Sequence, residues 1–324
     1  MQQGVPMQMG ALMQQYQQVP QQQRFQVGAQ GAVPVQQGQP QGQPLQNTQD
    51  IMNCAQILRR AMKGLGTDEK AIIQVAKTHT WQQRAAIAES FCAQFGMTLD
   101  KELKKELSGN LERVLRGVFQ DRYVFWAQQI DDAIRGAGTD EKRLIQLVLL
   151  MGDEDNKIVN EVYRKMFNRD MFTAIQNDIS NNDWGRLLKA WMKGENTVNV
   201  DPQRAADELW AAAKGAGTDE DVFIRIICST SPQTYRQVAQ CFQQKFGKSL
   251  RDIIKREFSL RSEFAFLLAH DYLMDPAGAC AFLINKAVKG AGTDDKSLVN
   301  VTVLYSDYFK GEAIKRAYTQ FGDV

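Results

Sequence analysis

The sequence has little net charge, few histidines and no long apolar run, and each shortage removes a class of function. Its 324 residues carry a formal charge of only +2, which argues against bulk electrostatic attraction to nucleic acid or to an acidic membrane. Lysines and arginines are dispersed, and no aromatic-basic motif interleaves them, so no nucleic-acid partner is expected. The two histidines are His79 and His270. His270-Asp271 resembles a dyad, but it falls near a helix end with no nucleophile beside it, and no enzyme is expected. No apolar stretch approaches the roughly 20 residues of a membrane-spanning helix, and no basic segment followed by an apolar one opens the chain. The expectation is a soluble, cytoplasmic protein. The five cysteines (Cys54, Cys92, Cys228, Cys241, Cys280) form no CxxC pair and read as reduced core thiols. β-Branched alternation is absent, which excludes a sheet.

Residues 1–47 stand apart. The first 50 residues hold 19 Gln, 6 Gly and 5 of the 8 Pro, and only Arg24 and Asp50 are charged. Such a stretch buries too little apolar surface to offset its ordering entropy, so it reads as a disordered tail. It serves as a solvated spacer or presents motifs to a protein partner.

The remainder is organised by one stretch, Met62-Lys63-Gly64-Leu65-Gly66-Thr67-Asp68-Glu69, whose versions return at Ile134, Ala213 and Val288. The first glycines, Gly64, Gly136, Gly215 and Gly290, are 72, 79 and 75 residues apart. Those steps are too long for one helix pair of a solenoid, so each unit is a small helical bundle. Two landmarks keep step with the glycines. Phe95-Gly96, Phe167-Asn168, Phe246-Gly247 and Phe321-Gly322 lie 31 residues on and read as helix ends with left-handed caps. Glu106, Asp178 and Glu257 lie 42 residues on, and the fourth acid would fall at position 332, past Val324.

Further signals set five helices per unit. Asp50, Asp121, Asp201 and Asp275 precede the loop glycines by 14 or 15 residues and start the first helix, with Pro202 and Pro276 in N1 position. The loop ends that helix, and Thr67, Thr139, Thr218 and Thr293 are expected to cap the second. Thr80-Trp81-Gln82-Gln83 and Ser231-Pro232 open the third. The fourth and fifth follow the Phe-Gly landmark, with the acid at their junction. The units are expected at 48–119, 120–193, 201–274 and 275–324, with a linker at 194–200 and the last unit lacking its final two helices.

A Gly-x-Gly turn after a helix end can aim several carbonyl oxygens at one point. Calcium takes about six to eight such hard oxygens at about 2.3–2.6 Å, and one carboxylate beside carbonyls and waters is an ordinary shell. A constant offset from loop to acid is what that geometry requires if the two loops lie side by side. The plainer alternative is an efficient helix-turn-helix joint. No Gly-x4-Gly-Lys-[Ser/Thr] phosphate loop occurs.

Four units carrying [Met/Ile/Ala/Val]-[Lys/Arg]-Gly-x-Gly-Thr-Asp, three with an acid before the fifth helix, resemble annexins over residues 50–324. The resemblance implies an all-α curved disc of four five-helix repeats with calcium loops on its convex face. It implies Ca2+-dependent, reversible binding to acidic phospholipid. The first site would use carbonyls of Met62, Gly64 and Gly66 with Glu106. The second would use Ile134, Gly136, Gly138 and Asp178, and the third Ala213, Gly215, Gly217 and Glu257. In the fourth unit Val288, Gly290 and Gly292 match, with no acid to follow. Lys63, Arg135, Lys214 and Lys289 are placed to meet head groups or to compensate the helix dipole. Leu65 is the large apolar loop tip expected at the interface.

Two departures carry expectations. Annexin repeats usually place an arginine just after the second helix, whereas His79, Gly152, Thr230 and Ser306 stand there, so a structural hydrogen bond is expected to be missing. Loss of the last two helices is expected to uncover Leu298, Val301 and Leu304 and to promote self-association through the incomplete fourth repeat. The alternative function is a calcium-independent helical scaffold that binds protein partners, with the Gln-rich tail as one surface.

Overall fold

In the computed structural model the described residues are 48–64, 66–136, 138–194, 200–214, 217–289, 292–308 and 311–321. The tail at 1–47, the linker core at 195–199, Leu65, Gly215, Gly290 and Gly322 lie outside them. Among the described residues there are eighteen α-helices and no strand. They fall into three sets of five and one of three. The first set is α1 (Thr48–Ala61), α2 (Glu69–Thr78), α3 (Trp81–Phe95), α4 (Leu99–Glu106) and α5 (Gly109–Val118). The second is α6 (Arg122–Ile134), α7 (Glu141–Leu149), α8 (Asp153–Phe167), α9 (Met171–Asp178) and α10 (Asp183–Lys193). The third is α11 (Pro202–Ala212), α12 (Glu220–Ser229), α13 (Pro232–Phe246), α14 (Leu250–Glu257) and α15 (Leu260–Met274). The last is α16 (Pro276–Val288), α17 (Asp295–Tyr305) and α18 (Gly311–Tyr318).

Local chemistry accounts for most boundaries. Asp121, Asp201 and Asp275 each accept a backbone N–H at the start of α6, α11 and α16, while Asp50 sits inside the first turn of α1. Thr80 forms the expected capping box with Gln83, and Ser231 caps α13 ahead of Pro232. Gly96, Asn168 and Gly247 close the third helices in the left-handed conformation. The second helices correct an expectation. Their N-caps are Asp68, Asp140, Asp219 and Asp294, each accepting the N–H three residues on, and not the preceding threonines. A carboxylate is at least as good a cap as a hydroxyl and suits the helix dipole better.

The sets join by a reciprocal rule: the second helix of one packs on the fifth helix of another. α7 packs against α15, α12 against α10, and α17 against α5. Close approach of the last pair depends on Gly117, where a Cβ would sit 2.7 Å from Val303 Cγ2. This packing overturns the expected bare face on the fourth set. Val301 and Leu304 are 3% and 1% exposed, and Leu298 is half-buried, because α17 is covered by α5 and α7 of earlier sets. The stated basis for self-association through that face is thereby removed.

Side chains of the third helices make buried hydrogen bonds to neighbouring helices. Arg84, one turn into α3, is buried; its Nε donates to Val118 O at 2.7 Å, Nη1 to Ala76 O at 3.1 Å and Nη2 to Asp307 Oδ2 at 2.8 Å. Asn156 holds the same place in α8, donating to Met192 O at 3.0 Å, and Tyr235 holds it in α13, 2.9 Å from His270 Nδ1. Each ties the third helix of its set to the end of a neighbouring helix. All five cysteines are free, but Cys92 is exposed and Cys241 half-buried, so only Cys54, Cys228 and Cys280 are core thiols. Burial pushes the Cys228 thiol up to about 12.

Candidate metal centres

The four loops share one closure. The N–H of Asp68 donates to Ala61 O at 2.8 Å, Asp140 to Ala133 O at 2.8 Å, Asp219 to Ala212 O at 3.0 Å and Asp294 to Ala287 O at 2.8 Å. That bond holds a helix end and the next helix start together, and a helix end leaves carbonyls without a partner in the helical ladder. The turn needs left-handed angles: φ is +117° at Gly64, +88° at Gly66, +112° at Gly136, +99° at Gly138, +112° at Gly217 and +93° at Gly292. An added Cβ at these positions meets nothing within 4 Å. Glycine is therefore required by the backbone angle and not by space.

The distant acids stand against the loops. Thr67 Oγ1 donates to Glu106 Oε2 at 3.0 Å, Thr139 Oγ1 to Asp178 Oδ2, and Thr218 Oγ1 to Glu257 Oε2 at 2.8 Å. The threonines read from sequence as helix caps thus fix the carboxylates instead. Met62, Ile134 and Ala213, the residues that begin each loop, are buried at the helix ends. The second centre opens onto a cavity of about 340 Å³ lined in part by Ile134, Asp170, Thr173, Asn177 and Asp178. In the fourth loop Val288 is half-buried and Gly292 exposed, and the loop is closed like the others.

This donor set suits a hard divalent cation. Among the described residues no three His, Cys, Asp or Glu side chains gather as a metal cluster, so a cation held here takes one carboxylate and completes its shell from carbonyls and water. Calcium accepts such a shell, whereas softer metals prefer nitrogen and sulfur.

The residue before each acid differs, and its role was not read from the sequence. Lys105 Nζ lies 3.3 Å from Glu106 Oε1. Arg256 Nε donates to Glu257 Oε1 at 2.7 Å and its Nη2 reaches Ala213 O at 3.4 Å. In the second centre the position is the neutral Asn177. Adjacency of a base to the acid was visible in the sequence, but its aim was not.

Among the loop bases, Lys63, Lys214 and Lys289 are exposed. Arg135 is also solvent-facing, but it is tied to Asp131 at 3.3 Å and to Asp132, so part of its charge is spent on its own helix. His270 is buried, lies 2.9 Å from the Tyr235 hydroxyl through Nδ1, and is pushed down to about 4 by burial. His79 closes α2, with Nδ1 2.8 Å from Val75 O.

Comparison with known proteins places the chain in a family. The Annexin family model matches residues 53–118, 125–191 and 203–267. Human annexin A11 is 36% identical over 264 residues, 80% of this chain and 52% of that protein. The chain therefore spans about half the length of that relative. Mouse annexin A13 is 32% identical over 78% of this chain and 82% of its own. The solved calcium-bound structure of alpha-14 giardin superposes with a TM-score of 0.76 at 26% identity, covering 85% of this chain and 90% of that one. The family model matches more than half of the chain and annexin A13 is 32% identical over 78% of it, so this chain belongs to the annexin family.

Proposed function

We propose that the chain binds acidic phospholipid surfaces reversibly and in a calcium-dependent way, through centres at Met62–Gly66 with Glu106, Ile134–Gly138 with Asp178, and Ala213–Gly217 with Glu257. The observation that carries this reading is the recurrence of one contact, a loop threonine bonded to an acid 39 residues on, three times over. Calcium bound at such a centre supplies two positive charges against one carboxylate and offers a vacant ligand position to a lipid phosphoryl oxygen. The protein's part is to present carbonyls and a pre-oriented carboxylate at a helix end. Exposed Lys63, Lys214 and Lys289 beside the loops add favourable charge toward the same head groups. Linkage requires lipid to raise calcium affinity by the factor that calcium raises lipid affinity.

The proposed association is peripheral, from a cytoplasmic pool; among the described residues no helix is long and apolar enough to cross a membrane. The proposed units are 48–119, 120–193, 201–274 and 275–324, and the three proposed centres lie in the first three. The test is co-sedimentation with phosphatidylserine or phosphatidylcholine vesicles across calcium concentrations, with chelator reversal. Binding to the acidic vesicles alone, lost in E106Q/D178N/E257Q, is expected. Equal binding by the triple variant would move the reading to a calcium-independent scaffold.

A further inference from the structure

Resting on the calcium reading above, we infer that the third centre carries its own competing cation, the guanidinium of Arg256. The two oxygens Arg256 engages, Glu257 Oε1 and Ala213 O, belong to the residues that begin and complete the centre. They come from different helices, α14 and the end of α11, so the side chain bridges the gap that a metal ion would bridge. A guanidinium carries a full charge at any accessible pH and a planar fork suited to two acceptors. A cation arriving at this centre must displace it, and must then sit near a displaced positive charge.

The other two centres supply an internal comparison. Lys105 meets only the carboxylate of Glu106, at 3.3 Å, and is 72% exposed; Arg256 is 50% exposed. Asn177 brings no charge to the second centre; Arg169 also lines the open cavity between Ile134 and Asp178, but its guanidinium is paired with Asp131 and not with the Asp178 carboxylate. The residue before the acid therefore grades the three centres, with the second filling at the lowest calcium and the third at the highest. Graded filling widens the calcium range over which membrane contact grows from one point to several.

The test isolates the third centre in the full chain as E106Q/D178N and compares Arg256 with R256N and R256K by calcium titration calorimetry. R256N is expected to tighten calcium binding about tenfold at low salt, as removal of a unit charge a few ångströms from a divalent ion implies, and R256K less. The gain should shrink when ionic strength rises from about 0.05 to 0.5 M. The reverse exchange, N177R in an E106Q/E257Q chain, is expected to weaken the second centre. Thermal unfolding gives a second readout of opposite signs: R256N should melt no higher than its parent in chelator and higher in calcium. R225N, which breaks a salt bridge to Glu208 in the same set, controls for charge alone. Unchanged or weaker calcium affinity in R256N, or no binding by E106Q/D178N with either residue while the full chain binds calcium, would overturn the inference. Failure of the calcium reading itself has a different signature, undiminished calcium binding in E106Q/D178N/E257Q.

Discussion

Lys142 Nζ lies 2.6 Å from Asp294 Oδ2, and Lys296 Nζ returns the contact to Asp140 Oδ2 at 3.2 Å. The two aspartates cap α7 and α17, so each lysine pins the helix start that follows the loop of another set. Ser297 Oγ adds a buried bond to Gln146 Oε1 at 2.9 Å between the same two helices. Burial alone would raise the Asp294 carboxyl, but hydrogen bonds from Lys142 and Ser297 outweigh it and hold the group below the usual carboxylate range. Asp294→Ala removes cap and ion pair together and should cost about 1–2 kcal/mol. Lys142→Ala should cost less than about 1 kcal/mol, since the pair is partly exposed. Urea unfolding of both variants and of the double variant measures the coupling; equal losses in the two single variants would contradict the assignment of most of the energy to the cap.

Thr139→Val keeps the shape of the side chain and removes the donor to Asp178. The carboxylate then loses its orientation, and calcium affinity at the second centre should fall several-fold while stability falls by about 1 kcal/mol. Calorimetric titration of an E106Q/E257Q chain with and without Thr139→Val reads the first quantity. Unaltered affinity would show that the hydroxyl serves the fold alone.

Gly117→Ala puts a methyl group against Val303, whose Cγ2 is 2.7 Å from the position it would take. Overpacking of this kind should cost about 1–3 kcal/mol. Val303→Ala frees the same space, so the double variant should recover part of the loss made by Gly117→Ala. Strict additivity in denaturant midpoints would mean that α5 and α17 adjust apart instead of pressing together.

The buried imidazole of His270 predicts a pH dependence. Burial is the main cause of its lowered value of about 4, opposed by Asp271 and assisted by Arg251. The folded chain therefore refuses a proton that the unfolded chain accepts below about pH 6.5. Stability contributed by this group is present above pH 6.5 and falls as pH drops toward 4, by up to about 3 kcal/mol. Denaturant midpoints of wild type and His270→Gln, measured between pH 7 and 4.5, should converge as pH falls. Parallel curves would show that His270 accepts its proton in place.

The loops were legible because they repeat. Glycine at a fixed place followed by an acid at constant distance is a signal of geometry, and the contact between Thr218 and Glu257 shows why the distance is constant. Helix boundaries were legible where a cap is local, as at Thr80 and Gly96. What the sequence hid was of two kinds. One is competition between neighbouring caps: Thr67 and Asp68 are both good N-caps, and only the position of Glu106 decides that the threonine turns away. The other is contact across long separations. Nothing near Leu304 or Val301 announces α5, and nothing near Ser306 announces that Asp307 meets Arg84. Each depends on how whole sets of helices meet.

Packing of α17 on α5 has a consequence for biosynthesis. Common solenoids stack each unit on its neighbour, so a growing chain can finish its core step by step. Here Arg84 waits for Asp307, 223 residues later. At about 5–20 residues per second that is roughly 10–45 s of synthesis. Throughout that interval α5 lacks the helix that covers it in the finished chain, and the first set is held as an incomplete intermediate with apolar surface toward solvent. The first helical set to be made is therefore among the last to be closed.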